Sequence, residues 1–146
     1  MPSDILEQYQ SKEKGSDKEI YTIETMEGHE YIQGSRQDLF EQLRKRILNL
    51  DASVKEEYKK YYITFKAITN FVDIIPQKSR LLLSLNIKSN EINDPKELCR
   101  DVTDLGRWGN GDVEVGISSS DQLEDIMYLI NQSFEKHIEN GEEWSN

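Results

Sequence analysis

Residues 61–88 read YYITFKAITNFVDIIPQKSRLLLSLNIK. Apolar side chains recur at every second position, the period of a strand with one face in a core and not the 3.6 of a helix. Tyr61, Ile63, Phe65 and Ala67 fall on one face of the first run. Leu81, Leu83, Leu85 and Ile87 share a face of the last run, opposite Leu82, Ser84, Asn86 and Lys88. Between them NFVDIIP is a short strand stopped at Pro76, which has no N–H to give to a ladder. The links are short, so the three runs are expected to form an antiparallel meander with one buried face.

Outward from this stretch the period changes. In SRQDLFEQLRKRILNL the residues Leu39, Phe40, Leu43, Ile47 and Leu48 line one helical face, and Ser35 with Asp38 resembles a capping box. That helix is expected to end near Asn49 and Asp51, which favour turns. IYTIETM, residues 20–26, is read as a short strand or the lead into the helix. Downstream, NDPKELCRD is expected to make a turn or two of helix with Asp94 as N-cap and Pro95 first inside. DVEVGI puts Val113, Val115 and Ile117 on one strand face. In the closing SSSDQLEDIMYLINQSFEKH, Leu123, Ile126, Met127, Ile130 and Phe134 form a helical stripe, with serines available as caps. The fold class expected is α+β: a mostly antiparallel sheet of about four strands, a meander plus one, packed by two long helices on one face. Residues 1–34 read as a polar, partly ordered leader, 35–138 as a single domain and 139–146 as a polar tail.

Composition narrows the function. At 146 residues, with 36% hydrophobic and 32% charged residues, the chain has the size and apolar content of one domain. Its single cysteine, Cys99, excludes an internal disulfide and suits a reducing compartment. No apolar run approaches the roughly 20 residues of a membrane helix, and residues 1–19 lack the basic region followed by an apolar one, so no signal peptide is expected. A cytoplasmic protein with no membrane partner is expected. The net charge of −10 argues against wrapping nucleic acid, but residues 41–110 carry 13 Lys and Arg against 10 Asp and Glu. A local basic face therefore stays open.

The densest chemistry lies at 106–117, GRWGNGDVEVGI. Gly106, Gly109 and Gly111 read first as a backbone device: glycines take positive φ freely, and Asn-Gly favours a tight turn. In that reading Trp108 folds back as an apolar lid. The functional reading gathers Arg100, Asp101, Arg107, Trp108, Asn110, Asp112 and Glu114 around the loop. Asp112 and Glu114 are two apart on a strand and share a face, a spacing able to hold a cation or a salt-bridge network. The loop matches neither phosphate-binding glycine motif and opens a strand, not a helix. His29 and His137 lack metal-ligand spacing. Cys99 beside Arg100 reads as a structural thiol before a reactive one. DVEV supplies no lysine where a restriction-type nuclease core needs one. A second feature is EEYKKYYITFK, where Lys59, Lys60 and Lys66 interleave with Tyr58, Tyr61 and Tyr62, the composition of a single-strand binding surface and of any strand with one wet face.

Across residues 35–136, the blocks LFEQLRKRILNLDASVKE, YYITFKAITNFVDIIPQKSRLLLSLNI and DPKELCRDVTDLGRWGNGDVEV resemble a bacterial and archaeal domain of unknown function often labelled "predicted transport protein". The resemblance implies a context: similar domains often end longer chains whose N-terminal part looks like a nuclease, including modification-dependent restriction systems. It brings no catalytic or ligand residues, and its members commonly carry histidine where this chain has Arg107. Without a membrane span the chain is not itself a transporter.

The reading leans away from catalysis. It expects a binding or accessory module, without cofactor, that recognises a nucleic-acid-derived ligand or docks a nuclease partner through Lys59, Tyr62, Lys66, Arg100, Trp108 and Asn110. Two alternatives stay open: a small metal-assisted hydrolase using Asp101, Asp112 and Glu114, and a protein–protein module using the acidic ends. Nothing in the sequence fixes an oligomeric state.

Overall fold

The computed structural model describes residues 20–106 and 109–145, the last six for backbone only. Two helices, α1 (Ser35–Leu48) and α2 (Leu123–Ser145), pack on a six-stranded sheet. The strands are β1 (Lys55–Tyr58), β2 (Ile63–Lys66), β3 (Asn70–Pro76), β4 (Leu81–Leu85), β5 (Arg100–Asp101) and β6 (Val113–Ile117). They lie in the order β1-β2-β3-β4-β6-β5, antiparallel throughout. The meander of the sequence reading is present, but the sheet has six strands and not about four. The two additions, KEEY and RD, are short polar edge strands with no apolar alternation to announce them.

The helix face of the sheet is the main core. The register sets Ile63 opposite Ile74, Ile74 opposite Leu83 and Leu83 opposite Val115. Leu39, Phe40, Leu43 and Ile47 of α1 close over this layer, as do Leu123, Ile126, Leu129 and Ile130 of α2, and all are buried. Helix α2 is keyed to β3 by Ser133, whose hydroxyl donates to the Phe71 carbonyl at 2.7 Å, and by an edge-to-face contact of Phe71 and Phe134 at 5.2 Å. Helix α1 is tied to the edge strand β1 by Arg44, whose Nε donates to Glu56 Oε2 at 2.8 Å. Met26 and Ile32, ahead of α1, also join this core.

Several local expectations are revised. The N-cap of α1 is Gly34, at φ 60°, with no side-chain cap; Ser35 is already helical. The capping box belongs instead to the turn before α2, where Ser119 accepts from Asp121 and the Gln122 side chain accepts from the Ser119 amide. Asp94 and Pro95 start no helix. The Asp94 carboxylate takes the amides of Leu98 at 3.0 Å and Cys99 at 2.9 Å, and Glu97 sits at φ 55°, outside any helix. Residues 20–26 form a turn, with the Met26 amide on the Thr22 carbonyl, and not a strand. Tyr61 does not continue the buried face of β2: it lies in the β1–β2 turn, closed by the Lys59 amide on the Tyr62 carbonyl at 2.8 Å, and is 48% exposed.

The expectation of a single buried face is the largest correction. Every residue of β4 is buried, and so are Val72 to Pro76 of β3. Leu82 and Ile75, on the face away from the helices, are 2% and 3% exposed. The second face is therefore covered too, and beside Leu82 and Ile75 a polar row crosses it.

Candidate functional site

A row of polar residues crosses the whole second face. Glu57 pairs with Thr64, Thr64 with Asp73, Asp73 with Ser84, Ser84 with Glu114 and Glu114 with Arg100, one residue from each strand. The four central members are buried: Thr64 2%, Asp73 1%, Ser84 1% and Glu114 7% exposed. Such a row is expensive to bury, and most of what compensates it comes from the glycine-rich segment. Asn110 donates to Asp73 Oδ2 twice, through its backbone amide at 2.8 Å and its side-chain amide at 2.9 Å. The Gly111 amide donates to Ser84 Oγ at 2.8 Å. The Asn110 side chain also reaches the Tyr62 hydroxyl at 3.2 Å.

The glycines at 109 and 111 are there for closeness. A Cβ on Gly109 would lie 2.4 Å from the Ser84 Cβ, and one on Gly111 would lie 2.1 Å from the Leu85 carbonyl oxygen. Positive φ, the expected reason, is not the reason: among the described residues the glycines with positive φ are Gly28 and Gly34. Burial pushes the Asp73 carboxyl above the usual carboxylate range, and the donors of Thr64, Asn110 and Asn70 hold it down only in part.

Of the residues singled out in the sequence, Tyr62 and Asn110 are in contact. Lys59 and Lys66 are near them, both gripping Glu57, at 3.0 Å and 3.2 Å. This pair of ammonium groups holds the Glu57 carboxyl below its ordinary value. Arg100 does not join them: it is exposed on β5, four strand spacings from β2, or about 19 Å. Trp108, like Arg107, lies outside the described residues.

The three carboxylates proposed for a metal do not converge. Asp101 accepts from the amide and hydroxyl of Thr103, at 3.0 Å and 2.6 Å, which lowers its pKa. With the half-buried Asp112 it lines a surface hollow of about 410 Å³ beside Lys88 and Thr103, to which Glu114 does not contribute. Among the described residues no group of three His, Cys, Asp or Glu could hold a metal ion. Burial, with Asp94 adding to it, pushes the Cys99 thiol up to about 12, the direction of a structural cysteine and not of a nucleophile.

Asp73 and two surface hollows were missed in the sequence, and the gathering of the lysines and tyrosines of EEYKKYY at one turn was not foreseen. Asp73 stood out as the one carboxylate in an apolar strand, a signal that points to a buried partner. The β1–β2 turn brings Lys59, Lys60, Tyr61 and Tyr62 to one hairpin tip, with the Lys60 ammonium 5.4 Å from the centre of the Tyr61 ring. Beside that tip a hollow of about 340 Å³ is lined by Tyr31, Tyr61, Ile75, Pro76 and Lys78. A larger hollow, about 640 Å³, lies between the start of α1 and the β6–α2 turn, walled by Glu30, Arg36, Asp38, Lys78 and Ser119.

No helix among the described residues is long and apolar enough to cross a membrane. The chain is 42% identical over 97 residues to an uncharacterised protein of Haemophilus influenzae, a match covering 66% of this chain and 32% of that one. It thus spans about a third of the relative's length. No solved structure matches the chain. Residues 29–137 match the family described as "Domain of unknown function (DUF5655)", and this span takes in both helices' core-facing stripes, all six strands and the loop-covered polar row. The chain belongs to that family.

Proposed function

We propose that the domain is a non-catalytic binding module for a nucleotide or a short single-stranded nucleic acid, held at the tip of the β1–β2 hairpin. The observation that carries this reading is the crowding there of two tyrosine rings with the ammonium groups of Lys59 and Lys60, Lys66 joining Lys59 on Glu57 from farther along β2. Tyr61 is half exposed, with Lys60 against its ring; Tyr62 is steadied by Asn110; Lys59 and Lys66 flank the pair. Exposed rings stack on bases of any sequence, and flanking cations take the phosphates. The adjoining hollow between Tyr31 and Tyr61 is within the size range of small-ligand sites.

The net charge of −10 favours a short ligand over an extended duplex. Arg100 is left out of the surface because it sits at the far edge of the sheet. Catalysis is disfavoured by how the loop's donors are used: those of Asn110 and Gly111 hold the loop against Asp73 and Ser84. The word module is supported by the longer relative, of which this domain makes up about a third. In this reading the hairpin's ligand would serve a nuclease-like part or partner of the kind the family resemblance implies.

An amide-shift NMR titration tests it, with mononucleotides, short single strands and duplexes at low and moderate salt. Shifts should centre on residues 59–62 and 109–111 and be larger for single strands, and Tyr61→Ala should weaken binding about ten-fold. Flat spectra at both salt concentrations, or equal affinity in Tyr61→Ala, would sink the proposal.

A further inference from the structure

We infer that the hollow between Tyr31 and Tyr61 selects guanine, the carboxylate of Glu27 accepting from the ring N1–H and the exocyclic amino group of the base. This rests on the hairpin reading above and names the base which that site prefers. Two segments wall the hollow, Glu27–Tyr31 and the tip of the β1–β2 hairpin, and they are fixed to each other. The Glu27 amide donates to the Lys60 carbonyl at 2.7 Å. His29 Nδ1 lies 2.9 Å from the Met26 carbonyl oxygen, and the Tyr31 amide donates to the Gly28 carbonyl at 2.9 Å. Gly28 sits so near Pro76 that an added Cβ would stand 3.1 Å from the Pro76 carbonyl oxygen. The walls are therefore set before a ligand arrives, which lowers the cost of ordering them on binding.

The lining is of two kinds. Tyr31, Tyr61, Ile75 and Pro76 offer the apolar surfaces against which a planar base packs. The volume, about 340 Å³, is at the small end for ligand sites and suits one base and not a run of them. Glu27 and Glu30 bring acceptors to the same hollow. Glu30 is drawn towards His29, whose Nδ1 is 3.8 Å from its carboxylate, whereas Glu27 forms no ion pair among the described residues. Glu27 is thus the acceptor left open to a ligand.

That acceptor discriminates between bases. An ionised carboxylate accepts and cannot donate, so it is best matched by two N–H groups side by side. Guanine presents its N1–H and its amino group in that arrangement. Adenine and cytosine each present one amino group beside a bare ring nitrogen, which a carboxylate oxygen repels. Uracil presents one N–H between two carbonyl oxygens. A simple cationic amine would satisfy Glu27 as well, but Lys78 lines the hollow and Lys60 stands against the Tyr61 ring. These ammonium groups repel a cation and suit a phosphate. The ligand is therefore anionic at its outer end and a donor at its inner edge, which describes a guanine nucleotide.

The test uses the full chain and the 5′-monophosphates of guanosine, adenosine, cytidine, uridine and inosine, followed by amide-shift NMR at low salt. Guanosine monophosphate should shift residues 27–31 and 59–62 and bind about ten-fold more tightly than the adenosine, cytidine and uridine forms. Inosine monophosphate keeps the N1–H but lacks the amino group, and should lose most of that advantage. Glu27→Gln, at an exposed position, should level the series. Equal affinity across the series, with shifts still at 59–62, overturns the guanine inference and leaves the hairpin reading standing. Silence with every nucleotide overturns both. The inference also fails if inosine monophosphate binds as tightly as guanosine monophosphate, if the preference survives in Glu27→Gln, or if spermidine alone produces the same shifts. The inosine comparison is read on the unaltered chain, so it decides the matter even where the variant fails to fold.

Discussion

The two faces of the sheet are buried to a similar extent by opposite means. The helix face is closed by apolar side chains from α1 and α2, interlocked with Ile63, Ile74, Leu83 and Val115. The second face, at its centre, is closed by backbone: Gly109 and Gly111 lie so near Ser84 and Leu85 that no side chain fits beneath them. On the first face, stability comes from area removed from water and tolerates changes of shape. On the second it comes from a few hydrogen bonds whose geometry leaves no slack. A buried face can therefore be a core on one side and a fitted cover on the other, and the two should break differently.

The largest effect is expected on the helix face. Phe40 is fully buried, and Phe40→Ala should cost about 3–5 kcal/mol in urea unfolding, enough to leave a domain of this size close to unfolded. The loop face should give less but with sharper position dependence. Gly111→Ala drives a methyl against the Leu85 carbonyl and should cost about 1–3 kcal/mol, whereas Gly106→Ala, with nothing within 4 Å, should be nearly neutral. If the two alanines behave alike, the cover is not fitted as described.

The smallest effect is in pH dependence. Burial raises the Asp73 pKa in the folded state above its unfolded value near about 3.9. Between those two values the folded chain binds more protons than the unfolded one, so stability falls as pH rises through that window. Asp73→Asn should flatten the fall. A wild-type profile that rises over the same interval would show that the carboxylate is better paired than its surroundings indicate.

What was legible in the sequence follows the same division. Side chains that alternate or recur with a helical period announced α1, α2, β3 and β4, because burial against an apolar layer leaves that pattern. Strands held mainly by their neighbours left no such mark: Lys55–Tyr58 and Arg100–Asp101 are polar and short. The expected helix after Asp94 failed because the aspartate caps a turn as readily as a helix, and the positive φ of Glu97 appears in no pattern. At the site, Tyr62 and Asn110 were recognisable as unusual and do touch. The loop's link to Asp73 and Ser84 was not, since it depends on strand register across 37 and 27 residues. The reason for Gly109 and Gly111 is likewise a distance to another strand and not a property of their own backbone angles.

The two edge strands have a further consequence, for how copies of this chain meet. A sheet normally grows by offering an unpaired ladder to a neighbour. Here one edge offers only Arg100–Asp101, too short to align an incoming strand, and the other offers KEEY, a charged stretch with Glu56 already engaged by Arg44. Fibrillar stacking by edge-to-edge addition is thus blocked at both ends, so that concentrated solutions of this domain should stay clear of amyloid-like order for as long as the hairpin and the last short strand remain in place.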